Sequence, residues 1–504
     1  MIKNSILLSI IISSLFGCNG KSTQKNEAMA YREKHRPQFH FSPPEKWMND
    51  PNGLVFYEGE YHLFYQYYPD GIVWGPMHWG HSISKDLFHW EHLPIALYPD
   101  SLGYIFSGSA VIDWNNTSGF GVGNSPPMVA IFTYHNMEKE KAGNNDYQTQ
   151  GLAYSIDKGR TWTKYNNNPV LANPGIKDFR DPKVSWNKVA KKWIMALAVK
   201  NHISFYSSTN LKEWRFESDF GGNVGSHGGV WECPDLFELE DENGNKKYVL
   251  LVSINPGGRN GGSATQYFIG EFDGKVFTND TEEILWLDYG TDNYAGVTWS
   301  DIPKDDGRRL LIGWMSNWNY GQVVPTEKWR SAMTIPRQLK LIRNGDNIVV
   351  QSKPIDEIKS LETEEHVVEE NTFSSKVATY SVLFSEIGND SIEVILSNKE
   401  LEKITISYDE GILTIDRNKS GNFDFSDKFA GKYSSDKLSN RIKKLQIFVD
   451  VSSVEVFVND GEIVMTELVF PTNPFTIISY SGMVGQFKVT YLNSIWKSDN
   501  ANTN

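Results

Sequence analysis

Three acidic residues lie in clusters of aromatic, glycine and proline residues, company that a solvated surface carboxylate does not need. They are Asp50 in Trp47-Met-Asn-Asp-Pro-Asn-Gly53, Asp181 in Phe179-Arg-Asp-Pro182 and Glu232 in Trp231-Glu-Cys-Pro-Asp235. Proline directly after Asp50 and Asp181 biases each acid toward extended backbone, which would aim its side chain in one direction. Acid/base cleavage of a sugar bond requires two carboxyl groups of unlike pKa, one ionised and one holding a proton near neutrality. Asp50, beside Asn49, suits the ionised role because hydrogen-bond donors can keep it charged. Glu232, crowded by Trp231, Cys233 and a second carboxylate, suits the protonated role because desolvation and like charge raise a carboxyl pKa. Any one buried acid could merely bond a strand end. Three in such settings point to a site.

Such a site needs distant stretches of chain to meet, and the elements between them read as strands. Short apolar runs begin roughly sixty residues apart: Tyr61-His-Leu-Phe-Tyr65, Met128-Val-Ala-Ile-Phe132, Trp193-Ile-Met-Ala-Leu197, Tyr248-Val-Leu-Leu-Val252 and Leu310-Leu-Ile-Gly-Trp314. Each is too short and too β-branched or aromatic for a good helix, and Gly, Asn and Asp punctuate the gaps. A second echo follows several runs: Ser82-Ile-Ser-Lys-Asp-Leu-Phe-His-Trp90, Ser155-Ile-Asp-Lys-Gly-Arg-Thr-Trp162 and Ser207-Ser-Thr-Asn-Leu-Lys-Glu-Trp214. A strand ending in Ser, a polar turn and a Trp that could pack between sheets thus recur as one unit. Five units predict an all-β domain, a five-bladed β-propeller over residues 36–350, with the acids converging on the mouth of its central channel. An irregular all-β domain with accidental spacing is the alternative.

Beyond about residue 350 tryptophan almost disappears. Leu445-Gln-Ile-Phe-Val-Asp450 and Val454-Glu-Val-Phe-Val458 alternate apolar with polar residues, and Asn459-Asp-Gly461 offers a turn of residues that accept positive φ. This pattern predicts half-buried antiparallel strands in a C-terminal β-sandwich over 351–500, joined through Ser352 to Leu361. No helix of consequence is expected. At the other end, Lys3 and the apolar run Ser5 to Phe16 lead to Gly17-Cys18. Residues 1–18 read as a signal peptide ending at a lipobox-like cysteine, so Cys18 is the expected lipidation site of a bacterial lipoprotein at the outer membrane, cell surface or periplasm. An ordinary signal peptide with an incidental cysteine is the alternative. Residues 19–35 read as a polar tether. The chain has two cysteines in all, so none is left to pair with Cys233 once Cys18 carries lipid.

The formal charge of -13, from Lys+Arg 49 against Asp+Glu 62, argues against nucleic acid as a partner and suits an uncharged ligand. The 16 Trp and 23 Tyr offer flat rings for stacking on sugars, although propeller cores also consume aromatics. His78, His81, His89 and His227 lack zinc-like spacing with Cys or carboxylate, so no metal and no other cofactor is expected. No His is placed to activate Cys233, which reads as a small buried spacer.

Trp47 to Gly53, Phe106-Ser-Gly-Ser-Ala110, Arg180-Asp-Pro182, Trp231 to Asp235 and Gly313-Trp-Met-Ser-Asn-Trp318, in that order, resemble glycoside hydrolase family 32, the invertase, inulinase and levanase family. The likeness extends to Phe448-Val-Asp and Ser453-Val-Glu-Val-Phe-Val-Asn-Asp-Gly461 and so covers nearly the whole mature chain. It implies a propeller with a sandwich behind it, and retention of configuration by double displacement on a β-fructosidic bond. Asp50 would attack the anomeric carbon and Glu232 would act as acid/base. Asp181 would hold sugar hydroxyls and Arg180 would set local charge. Asn49, Gln66, Trp74, Phe106, Ser107 and Trp314 would line the subsite for the terminal fructose. Trp74 and Trp318 could equally be core fillers, and glycine neighbours tip Trp74 and Trp314 toward the pocket, because glycine permits close backbone approach to a ligand. A retaining pair would stand about 5 to 5.5 Å apart.

The implied substrate is a fructan or fructo-oligosaccharide such as levan or inulin, with sucrose also possible, and no obligate protein partner is expected. A lipid anchor suits polymer foraging, which ranks fructan above sucrose. A glycan-binding lipoprotein without chemistry and a fructosyltransferase are the alternatives, and linkage and endo or exo action stay open.

Overall fold

The computed structural model describes residues 31–496 apart from 346, 389 and 390. The expected signal peptide, Cys18 and most of the tether lie outside the described residues.

Among the described residues five sheets form the propeller, antiparallel except at one short edge pairing. The first strands of the blades are Lys46–Tyr57, Tyr104–Ile112, Phe179–Asn187, Val230–Glu240 and Tyr294–Thr298. Each lies against the first strand of the next blade, and the fifth against the first, so these five surround the channel. Trp329–Arg330 pairs in parallel with the start of Lys46–Tyr57, which ties the late chain to the early blade and closes the ring. All five apolar runs of the sequence lie in the second strands, for example Met128–His135, every residue of which is buried. Burial on both faces is why these runs showed no alternation.

The serine-to-tryptophan echo has one physical basis. Ser84, Ser155 and Ser208 each accept backbone N–H groups of the following turn through Oγ. Asp86, Asp157 and Asn210 accept further N–H groups through Oδ1. Trp90, Trp162 and Trp214 donate their indole N–H to the carbonyl three residues back, at 3.0, 3.0 and 3.1 Å. The turn residue Leu87, Gly159 or Leu211 takes positive φ. The tryptophan thus closes the turn it follows, rather than acting as filler alone.

The sandwich comprises two six-stranded sheets. Asn459, Asp460 and Gly461 take φ of 48°, 61° and 98°, as a turn of that composition should. The strands around them are more buried than alternation suggested. Val454, Val456 and Val458 point into the sandwich core, while Phe457 and Val464 join the cluster that holds Trp47 and Trp314 of the propeller. The outward face is covered by the other domain, which no local pattern announces. The last strand of the fifth blade, Asn347–Pro354, runs past 350, and the 3-10 turn Asp356–Leu361 follows it.

Buried charge knits the domains together. Arg337 of the fifth blade binds Asp288 at 2.9 Å and Glu455 of the sandwich at 2.5 Å. His40 bridges Asp450 (2.8 Å) and Glu455 (2.9 Å). Although burial opposes it, the two carboxylates push the His40 imidazole up to about 9 from 6.5. A histidine raised on folding stabilises fully below its unfolded value, and that contribution is lost as pH rises through the folded one. The unfolding midpoint should therefore fall between pH 6.5 and about 9, and a calorimetric pH series on His40→Gln should show a shallower slope in that window.

Candidate active site

Every inner strand carries a bulge near its start. Pairing with the second strand shifts between Met48 and Pro51, Ile105 and Gly108, Glu232 and Asp235, and Tyr294 and Val297. In the third blade the shift falls opposite Arg180 and Lys183. A bulge re-aims the extra residue's side chain, and these five positions hold Asp50, Ser107, Asp181, Cys233 and Ala295. Asp181, Cys233 and Ala295 have φ of 63°, 45° and 52°. Asp181 is therefore not extended, despite the proline after it. The bulge overrides the local preference, and Thr133 Oγ1 accepts the Asp181 N–H at 3.0 Å.

The three acids converge. Cys233 Sγ stands 3.6 Å from both Asp50 Oδ2 and Asp181 Oδ2, and the Cys233 N–H donates to Asp181 Oδ2 at 3.1 Å. Asn49 Nδ2 donates to Asp50 Oδ1 (2.9 Å) and the Ser107 hydroxyl donates to Oδ2 (2.8 Å). The Trp47 indole can only donate, so by giving its N–H to Asn49 Oδ1 at 2.7 Å it turns the amide's NH2 toward Asp50. Arg180 donates to Glu232 Oε1 through Nε (3.2 Å) and Nη2 (2.9 Å), and to Asp178 through Nη1 (2.7 Å). The Tyr294 hydroxyl donates to Glu232 Oε2. Each blade thus contributes at least one side chain to the mouth.

The electrostatics differ from the sequence reading. Burial and then the Glu232 charge raise the Asp50 carboxyl, which the Asn49 and Ser107 donors only partly oppose. Burial, with the charges of Glu232 and Asp50, pushes Asp181 up to about 7 against the pull of Arg180. One guanidinium does not offset the burial of these carboxyls, and Asp50 and Asp181 hold protons more tightly than isolated acids would. Trp231 does not crowd Glu232. Neighbours on a strand point to opposite faces, and the Trp231 indole is buried with Phe268, donating to Ser226 O at 2.8 Å. The Glu232 side chain stays 19% exposed among donors.

Asn49, Ser107 and Arg180 meet the acids directly. Gln66 is 2% exposed, and its Nε2 has no partner among the described residues. Trp74 stands edge-on to Phe106 at 6.0 Å, and Phe106 stacks on His135 at 4.2 Å. Trp314 is 0% exposed, between Trp47, Tyr294 and Trp318, and backs the wall instead of presenting a ring face. Only its indole N–H is uncommitted. The glycines beside the two tryptophans serve protein packing. A Cβ at Gly75 would lie 2.5 Å from the Tyr68 ring and one at Gly313 2.1 Å from Asn293 Oδ1, so protein side chains occupy those spaces. Sequence alone did not single out Tyr294 and Asp178, although Pro174-Gly175 precedes Asp178 and Gly296 follows Tyr294. Tyr294 opens the fifth inner strand, and counting back from the fifth apolar run to the strand that pairs with it would have found it.

Cys233 is a buried thiol that burial and the neighbouring carboxylates push up. It should resist iodoacetamide at neutral pH in the native protein and react once unfolded, as mass spectrometry of its peptide would show. Rapid native labelling would mean that the site is more open than described.

Residues 40–352 match the model for the glycosyl hydrolases family 32 N-terminal domain and residues 347–496 the C-terminal one. The chain is 48% identical to the levanase of Bacillus subtilis (strain 168), over 94% of this chain and 71% of that protein. It is 39% identical to the extracellular exo-inulinase of Aspergillus awamori, over 88% of this chain and 91% of that one. In structure it resembles the β-fructofuranosidase of Schwanniomyces occidentalis complexed with fructosyl-erythritol, with a TM-score of 0.82 and 31% identity, covering 92% of this chain and 99% of that one.

Proposed function

Because the chain belongs to glycoside hydrolase family 32, we propose that it hydrolyses β-fructosidic bonds of a fructan such as levan or inulin, with Asp50 as nucleophile and Glu232 as acid/base. The observation that carries this reading is the meeting of three carboxylates from three blades around one thiol and one guanidinium.

Glu232 Oε1 accepts two N–H groups from Arg180, so a proton on this carboxyl belongs on Oε2. There the Tyr294 hydroxyl can turn to accept, and Oε2 delivers the proton to the leaving oxygen. Asp50, held by Asn49 and Ser107, attacks the anomeric carbon and forms a fructosyl-enzyme ester. Glu232, now ionised, takes a proton from water, which releases fructose or a shortened chain with its configuration retained. Asp181 binds sugar hydroxyls and stabilises the positive charge of the oxocarbenium-like transition state.

Secretion and anchoring through Cys18 complete the proposal. Fatty-acid labelling in the producing cell should disappear on Cys18→Ala. The activity is tested by supplying levan, inulin and sucrose separately and chromatographing the early products. Fructose alone would mean exo action, a ladder of oligosaccharides endo action, and no product from any of them would overturn the assignment.

A further inference from the structure

A groove of about 780 Å³ lies at the opposite end of the propeller from the acids. The acids sit near the N-terminal ends of the inner strands, whereas this groove is lined by residues at or beyond the strands' far ends, such as Ile112, Asn187, Glu238 and Asp301. Between the two, Lys183 Nζ binds Asp235 Oδ2 at 3.0 Å and the Thr298 carbonyl at 2.6 Å. That buried pair plugs the channel, so the groove is not an arm of the cleavage site.

Trp114 stands at the groove, 60% exposed. Its indole N–H donates to Asp301 Oδ1 at 2.8 Å, and Asp301 Oδ2 accepts the Ile112 N–H at 2.9 Å. The ring also meets Tyr57 at 5.9 Å. A large apolar ring is thus fixed outward, although water exposure of such a surface is unfavourable. One feature of the lining lacks protein partners in proportion to its capacity. Arg309 lies over the Phe237 ring at 4.9 Å and reaches the Trp299 carbonyl at 3.4 Å, which leaves donors of its five over.

An anion would meet Asp235 and Asp301, and a simple cation would meet Arg309. An uncharged polyol satisfies both, because each hydroxyl donates and accepts, while its C–H face stacks on the indole. We infer that this groove is a second binding site for the fructan chain, holding the polymer on the enzyme while its bonds are cut at the other end of the propeller. The inference rests on the proposed function for the identity of the sugar.

The test uses native gels cast with levan or inulin. Asp50→Asn blocks digestion in the gel, and Asp50→Asn is compared with Asp50→Asn/Trp114→Ala and Asp50→Asn/Trp114→Phe. Alanine should weaken retention about tenfold and phenylalanine should restore most of it. In the otherwise wild-type enzyme, Trp114→Ala should raise KM on polymer and leave kcat/KM on a fructan trisaccharide unchanged. Equal retention with and without Trp114, or an equal loss on trisaccharide and polymer, would overturn the inference. A wild-type enzyme that cuts none of these sugars would count against the catalytic reading, while the gels would still decide the groove.

Discussion

Asp50→Asn should reduce hydrolysis by about 10,000-fold or more, because it removes the atom that forms the covalent intermediate. The amide oxygen can still accept from Asn49 Nδ2, and the amide NH2 can donate to the Ser107 hydroxyl oxygen, so the fold should persist and the unfolding midpoint should change little. Burial raises the carboxyl it replaces, and an uncharged group in that place relieves a desolvation cost. Glu232→Ala should cost about 100- to 10,000-fold on ordinary fructosides, the range of lost general-acid help. The two losses differ in kind. With a fructosyl donor whose leaving group needs no proton, such as fluoride, the Glu232→Ala enzyme should still form the ester quickly, and the Asp50→Asn enzyme should not. Equal rescue of both by the activated donor would remove the division of roles.

Arg417→Met should destabilise the protein by about 3–5 kcal/mol, the usual consequence of stripping one partner from a buried ionic group. Arg417 lies in the sandwich, fully buried, and reaches Asp292 at 2.6 Å and Glu467 at 2.8 Å. Its Nη2 donates to the Tyr320 hydroxyl at 2.8 Å, and its guanidinium lies 4.1 Å from the Phe429 ring centroid. Burial and the Asp292 charge already push Glu467 up to about 8 against the pull of Arg417. Without the arginine, two carboxylates remain in an apolar setting, and Arg417→Met/Glu467→Gln should recover part of the loss. Asp292 directly precedes Asn293 and Tyr294, whose hydroxyl meets Glu232. The sandwich therefore braces the strand that presents Tyr294, and kcat should fall along with the unfolding midpoint. A midpoint unchanged in calorimetry would show that the ion cluster is dispensable.

The sequence was most legible where a residue's role is local. The five apolar runs marked the second strands because burial on both faces leaves a continuous hydrophobic signature. The serine-to-tryptophan echo was readable because its hydrogen bonds close within a few residues. Legibility ended where partners come from other blades. Trp231 and Glu232 are neighbours in the chain but face opposite ways, and Arg180, fifty-two positions away, is what meets Glu232. Trp314 carries a glycine beside it for the sake of Asn293, which its motif does not reveal.

Residue types and their order alone determined the propeller, the sandwich and which acids lie near the channel mouth, since strand period, turn chemistry and motif are properties of short segments. Tertiary structure alone decided which way each acid points, which donors face it and how tightly it holds a proton. Those depend on bulges set by pairing between strands and on charges brought together from different blades, at distances no local sequence specifies.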